Sequence, residues 1–166
     1  MNSFSPISII SFITLVLSQV LLFNHLHIFG SINPIIYLLF FVFYRYESNQ
    51  TLLILLSFLL GFSVDILSQS GGAHTIASLT VGFLRPLIIK YAFGVNIETP
   101  LSYFSDSRTL NKLVFLILIT AIHHLIYFSL VYFSLSSIML IIKNSLLTLL
   151  FSLVLIGITL SFYPNK

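Results

Sequence analysis

Forty-four residues pass before the first charged side chain, Arg45. A soluble domain carries about 25% charged residues, whereas this 166-residue chain has seven basic and four acidic side chains and is 58% hydrophobic. Ions are costly in hydrocarbon, so the charge shortage marks lipid as the solvent for which the chain is built. The expected fold class is an all-α integral membrane protein of one polytopic domain, residues 1–166. No loop is large enough to fold alone, and no internal repeat stands out.

Met1–Phe23 has no basic stretch before it and no small-residue cleavage site after it, and reads as a retained helix. The chain has no cysteine, which excludes disulfides, thiol catalysis and cysteine metal sites. Its net charge of +3 comes without a basic cluster interleaved with aromatics, so nucleic acid is not an expected partner.

A membrane helix needs roughly 20 mostly apolar residues. Five segments qualify or come close: Phe4–Phe23, Thr51–Leu67, Thr75–Phe93, Leu113–Leu135 and Ser145–Phe162. A sixth, Pro34–Tyr44, is short, with Asn33–Pro34 marking its start, because proline suits a first helical turn. Six spans place both termini on one side. With that side cytoplasmic, the inner segments hold Arg45, Lys90, Arg108, Lys112 and Lys166, and the outer ones only Lys143. The excess of basic residues on cytoplasmic loops predicts N-in, C-in. The longest connector, Gly94–Asn111, with Glu98, Pro100, Asp106 and Arg108, is then cytoplasmic.

Two neighbouring segments carry polar stripes. Ser57, Gly61, Asp65 and Ser68 fall at steps of four, four and three, on one helical face. Thr75, Ser78, Gly82 and Arg85 fall at steps of three, four and three, also on one face. Small residues let helices approach closely in lipid, and hydroxyls bond across such contacts. Gly71–Gly72 permits a tight reversal between the two. Antiparallel packing, stripe to stripe, is therefore expected. Arg85 lies ten residues beyond Thr75, about 15 Å along a helix, so an Asp65–Arg85 pair requires the arginine stem to reach outward. Pro86 disfavours helical geometry at Arg85 and suggests a kink. An intramembrane charge is a functional-site hypothesis by default; the competing readings here are structural glue and contact with a partner helix.

His123 and His124, with Tyr127 one turn on, lie near mid-bilayer. Adjacent histidines point about 100° apart and do not face each other as haem ligands would. A metal centre needs further ligands, and His25, His27 and His74 are expected near the outer surface. Hydrogen-bonded structural histidines are the expectation. Ser8, Ser11 and Ser18 on the first span, and Thr148, Ser152 and Thr159 on the last, read as packing surfaces. The chain carries no nucleophile motif, HExxH or glycine-rich phosphate loop, and no second intramembrane carboxylate stands beside Asp65 for acid–base chemistry. No catalytic role and no cofactor are expected.

Across residues 61–86 the chain resembles the MreD family, the rod shape-determining membrane proteins of bacteria. That family shows a glycine, an aspartate four positions on, a glycine-containing turn, and an apolar run ending in a basic residue. Gly61, Asp65, Gly71 or Gly72, and Arg85 stand in those places. The Asn33–Pro34 pair, the length and the six-span hydropathy also fit. The glycine pair, the short second span and His74 depart from the pattern.

The resemblance implies a non-catalytic subunit of the bacterial inner membrane that links the cytoskeleton to peptidoglycan synthesis during cell elongation. The partners it implies are a single-span MreC-like protein, a RodA-type polymerase with its transpeptidase, and MreB. Ser57, Gly61, Asp65, Gly71, Gly72, Ser78, Gly82 and Arg85 become the candidate helix-packing and partner-interface residues. The six-helix bundle is also similar to the substrate-capture S-components of energy-coupling-factor transporters. That is the alternative function, and Asn24, His25, His27, Asp65, Gln69 and His74 would line its outer pocket. A pore-forming peptide is disfavoured, since no strongly amphipathic helix is present.

Overall fold

The computed structural model describes residues 6–28, 32–44, 49–94 and 108–162, with side chains from residue 10 onward in the first stretch. Arg45, Glu98, Pro100, Asp106, Lys166 and the Ser8 side chain lie outside the described residues. Six α-helices occur among the described residues: α1 Pro6–Leu21, α2 Leu39–Phe43, α3 Gln50–Ser68, α4 Ala73–Phe93, α5 Thr109–Tyr132 and α6 Ile138–Ser161. Short 3₁₀ turns at Phe23–His25 and Leu135–Ser137 precede the next elements. The described residues contain no strand, and a single antiparallel bridge joins Ile28 to Ile32. Four helical stretches are long and apolar enough to cross a membrane: Gln50–Ser68, Ala73–Phe93, Thr109–Tyr132 and Leu135–Ser161. The chain is an all-helical, multi-pass membrane bundle.

Local chemistry sets the helix ends. Asn49 caps α3 by accepting the Thr51 N–H at 2.9 Å, which satisfies a donor the helix leaves open. At the other end Gln69 turns left-handed (φ 54°) and the Asp65 carbonyl takes the N–H groups of Gln69 and Ser70, a C-terminal capping pattern. Gly71 and Gly72 follow at φ 68° and 90°, where a β-carbon would be strained.

The α3–α4 contact is stripe on stripe. A β-carbon on Gly61 would lie 2.5 Å from the His74 carbonyl oxygen, and one on Gly82 would lie 2.2 Å from Ser57 Oγ. The hydroxyls behave less uniformly than expected. Ser57 donates back to the Leu53 carbonyl of its own helix at 2.6 Å, while Ser78 reaches across to Tyr37 at 3.2 Å.

Three expectations need correction. Residues 34–44 do not form a helix starting at Pro34. Residues 33–36 are irregular, α2 covers five residues, and Ile35, Ile36, Tyr37, Leu38, Leu39, Phe41 and Val42 are all buried. This segment threads the middle of the bundle. Irregular backbone at membrane depth is tolerated only where protein satisfies its polar groups, and protein does so here. Gln19 of α1 donates to the Pro34 carbonyl at 3.1 Å and accepts the Ile36 N–H at 2.8 Å. Ser152 of α6 accepts the Ile35 N–H at 2.9 Å.

Second, α6 begins at Ile138 instead of Ser145. Asn144 sits inside the helix and donates to the Tyr132 hydroxyl. Third, the packing faces of the outer helices match the serine and threonine stripes only in part: Thr148 and Ser152 are buried as expected, but Thr159 and Ser11 are not. α6 buries Ser145, Thr148, Ser152 and Ile156 while Thr159 is exposed, and α1 buries Val16 and Gln19 while Ser11 is exposed.

Candidate functional site

Asp65 ends α3 one turn before the reversal and faces the start of α4. Its Oδ1 accepts the Ser70 hydroxyl at 2.5 Å and the His74 N–H at 3.1 Å. Its Oδ2 accepts the Thr75 N–H at 2.7 Å and the Thr75 hydroxyl at 2.5 Å. Gly72, the residue at the cap position of α4, has no side chain to offer. The carboxylate therefore caps α4 from the preceding helix, on the second and third residues, where capping oxygens bind. The positive end of the helix dipole favours a negative charge there.

Arg85 performs the complementary task. It is 2% exposed, and donates from Nε to the Phe41 carbonyl at 2.8 Å and from Nη2 to the Tyr44 carbonyl at 2.6 Å. These carbonyls close the C-terminal end of α2, where a cation is favoured, and its guanidinium carbon lies 5.8 Å from the Tyr44 ring centre. Asp65 and Arg85 do not meet: one holds the first turn of α4, the other the end of α2. The helix α4 continues through Pro86. Proline has no N–H for the carbonyl four residues earlier, which is that of Gly82; the Gln50 side chain donates to it instead, at 3.1 Å.

The eight candidate residues thus divide by place. Ser57, Gly61, Asp65, Ser78, Gly82 and Arg85 are buried inside the chain, and Gly71 and Gly72 form the reversal. The buried six face other parts of the same chain.

A second cluster lies beside the first. The Tyr37 hydroxyl, delivered by the irregular segment, stands 3.0 Å from His74 Nδ1 and 2.6 Å from His123 Nε2, and accepts from Ser78. The Tyr127 ring packs on His74 with centroids 4.4 Å apart. His124 is fixed separately, with Nδ1 2.6 Å from the Thr120 carbonyl and Nε2 3.2 Å from Ser152 Oγ. His124 is a bonded structural histidine. His123 is bonded only at Nε2; among the described residues its Nδ1 is the buried side-chain polar atom with no hydrogen-bond partner.

His74 corrects an expectation. It is 3% exposed and belongs with His123, whereas His25 and His27 are exposed. Sequence reasoning missed Tyr37 and Gln19, both fully buried. The signal for Gln19 was available, since an amide in an otherwise apolar helix needs partners. Tyr37 carries no such mark within an aromatic-rich run.

Of the six polar groups proposed to line an outer pocket, three are engaged within the fold, while His25, His27 and Gln69 are exposed. Asn24 donates to Ser68 at 2.6 Å and accepts from Gln19 at 2.8 Å, Asp65 holds the α4 start, and His74 meets Tyr37. No protein-family model, curated protein or solved structure matches this chain.

Proposed function

We propose that this chain is a non-catalytic scaffold subunit of the bacterial cell-elongation machinery, of the MreD kind, seated in the inner membrane with both termini cytoplasmic. One observation carries the reading: both oxygens of the intramembrane carboxylate are taken up in joining α3 to α4. The resemblance rests on Gly61, Asp65, the glycine turn and Arg85, and each has a shape-holding task in the fold. Gly61 permits the close approach, the glycines the reversal, and the two charges cap helix ends. Groups so engaged suit a rigid bundle that offers its outside to partners. That outside is broad and apolar: Ile10, Ile13, Leu17 and Leu21 are exposed on α1, and Leu146, Leu150, Val154 and Ile158 on α6. The partners proposed are an MreC-like single-span protein in the membrane and, through the assembly, the RodA-type polymerase with its transpeptidase and MreB. The engagement of Asn24, Asp65 and His74 within the fold weighs against the S-component alternative, which needs polar groups open to an outside solute.

The test is affinity purification of the tagged chain from mild detergent, followed by mass spectrometry. Recovery of an MreC-like protein with wall-synthesis enzymes is expected. Recovery of transporter ATPases with a coupling membrane subunit would overturn the proposal.

A further inference from the structure

The scaffold reading leaves open where a partner docks, and the corner between α5 and α6 stands apart from the rest of the apolar outside. Phe133, Leu135, Ile138 and Met139 crown it, 85%, 92%, 58% and 74% exposed. Phe133 ends α5 in the left-handed region, at φ 39°, where a bulky residue is strained. At the α3–α4 reversal and the end of α4 the same region is taken by Gly71, Gly72 and Gly94. The turn after Phe133 is held in place: Ser134 Oγ lies 2.7 Å from Ser136 Oγ, and Asn144 of α6 donates to the Tyr132 hydroxyl of α5. No Asp, Glu, Lys or Arg occurs between Lys112 and Lys143.

Contacts lower in the bundle set the height of this corner. Tyr127 of α5 packs on His74 in the first turn of α4, and Ser145 of α6 donates to the His124 carbonyl at 3.3 Å. Lys143, exposed and two residues before Ser145, therefore lies level with the start of α4 and the reversal beside it. From Lys143 to its end α6 has 19 residues, as α3 has. That is about 28 Å of helix, and a hydrocarbon core is about 30 Å thick. The lysine and the glycine reversal thus mark one membrane surface. Beyond Lys143, α6 runs on to Ile138, about 8 Å further, across a headgroup layer roughly 5–8 Å deep. Acyl chains do not reach the corner. Its tip also lacks what headgroups favour, namely tyrosine or tryptophan and basic side chains. Phenylalanine and methionine are instead enriched where proteins meet.

We propose that the α5–α6 corner is a docking surface outside the hydrocarbon, taken by an apolar, uncharged stretch of a single-span partner protein where that stretch leaves its membrane helix. A cluster of large apolar side chains beyond the reach of lipid is the mark of a protein interface, and covering it removes apolar surface from water. The stretch is uncharged because the corner has no ion to pair with one. The scaffold reading supplies the single-span partner; the height and chemistry of the corner stand without it.

The chain has no cysteine, so single cysteines report on the corner directly. In lipid nanodiscs holding the full chain alone, Leu135→Cys should react with a water-soluble maleimide about tenfold faster, or more, than Leu150→Cys, because the reacting thiolate forms in water and not in an apolar medium. Leu150 is exposed midway along α6. Equal rates would place the corner in lipid and overturn the proposal. In membranes from its own cells, labelling of Leu135→Cys should be about tenfold slower than in nanodiscs, the partner's apolar surface now excluding water. There p-benzoylphenylalanine in place of Leu135 should crosslink to the stretch of a single-span protein next to its membrane helix, mapped by mass spectrometry. Undiminished labelling, or crosslinks confined to lipid or to a second copy of this chain, would overturn the proposal. A crosslinked single-span protein that purifies without wall-synthesis enzymes would uphold the docking surface and refute the scaffold reading, so the two fail separately.

Discussion

Replacing Asp65 by asparagine removes the charge and one of two acceptor oxygens at nearly constant shape. Whichever way the amide turns, its NH2 group faces a backbone donor: the Thr75 N–H in one orientation, the His74 N–H in the other. The Ser70 and Thr75 hydroxyls can rotate to accept from the amide; a backbone N–H cannot. One buried donor left open costs about 1–3 kcal/mol, and losing the charge at a helix N-terminus costs about 0.3–2 kcal/mol. The expected destabilisation is about 2–4 kcal/mol on these figures. Asp65→Ala should cost more, because both N–H groups lose their acceptor. The assay is equilibrium unfolding by SDS titration in mixed micelles. Tyrosine emission is the probe, since the chain has eight tyrosines and no tryptophan. An Asp65→Asn protein within about 0.5 kcal/mol of wild type, the range of an inconsequential surface change, would refute the capping argument.

Four further outcomes can be read in the same assay. Gly82→Ala places a β-carbon against the Ser57 side chain and should cost about 1–3 kcal/mol as overpacking; adding Ser57→Gly should restore much of the loss. Gly61→Ala meets backbone of His74 and Thr75, so truncating a neighbouring side chain should not rescue it. Gln50→Leu should destabilise the wild type but not a Pro86→Ala background, where residue 86 supplies the N–H to Gly82; a coupling energy of about 1 kcal/mol is expected from such a cycle. Arg85→Lys should destabilise despite keeping the charge, since one ammonium does not reproduce the fork that reaches Phe41 and Tyr44.

What the sequence made legible was what repeats locally. The steps Ser57–Gly61–Asp65 and Ser78–Gly82–Arg85 fix two faces, and Gly71–Gly72 fixes the reversal that brings them together. The four long helices follow from apolar length alone. The segment 32–44 was not legible, because a run rich in Ile, Leu and Phe reads as a helix wherever hydropathy is the guide. Its irregular path depends on Gln19, Arg85 and Ser152, which lie 15, 44 and 117 residues from the backbone groups they satisfy. The roles of Asp65 and Arg85 were hidden for the same reason. Their positions on the stripes were evident, but the backbone groups they serve belong to a turn and a broken helix whose placement only the fold reveals. His74 looked superficial because it follows a glycine turn; Tyr37 and Tyr127 cover it.

Polar groups inside the bundle hold a broken segment through its middle. The absence of native cysteine permits a direct measurement: single cysteines at each position from 35 to 43, challenged in membranes with water-soluble and lipid-soluble maleimides. Cysteines replacing Ile35, Ile36, Leu38, Leu39, Phe41 and Val42 should be uniformly unreactive, while one replacing Phe43, 40% exposed, should react. A helical rhythm of lipid-phase labelling, with reactive positions every three to four residues, would show an ordinary outer helix and contradict the threaded path.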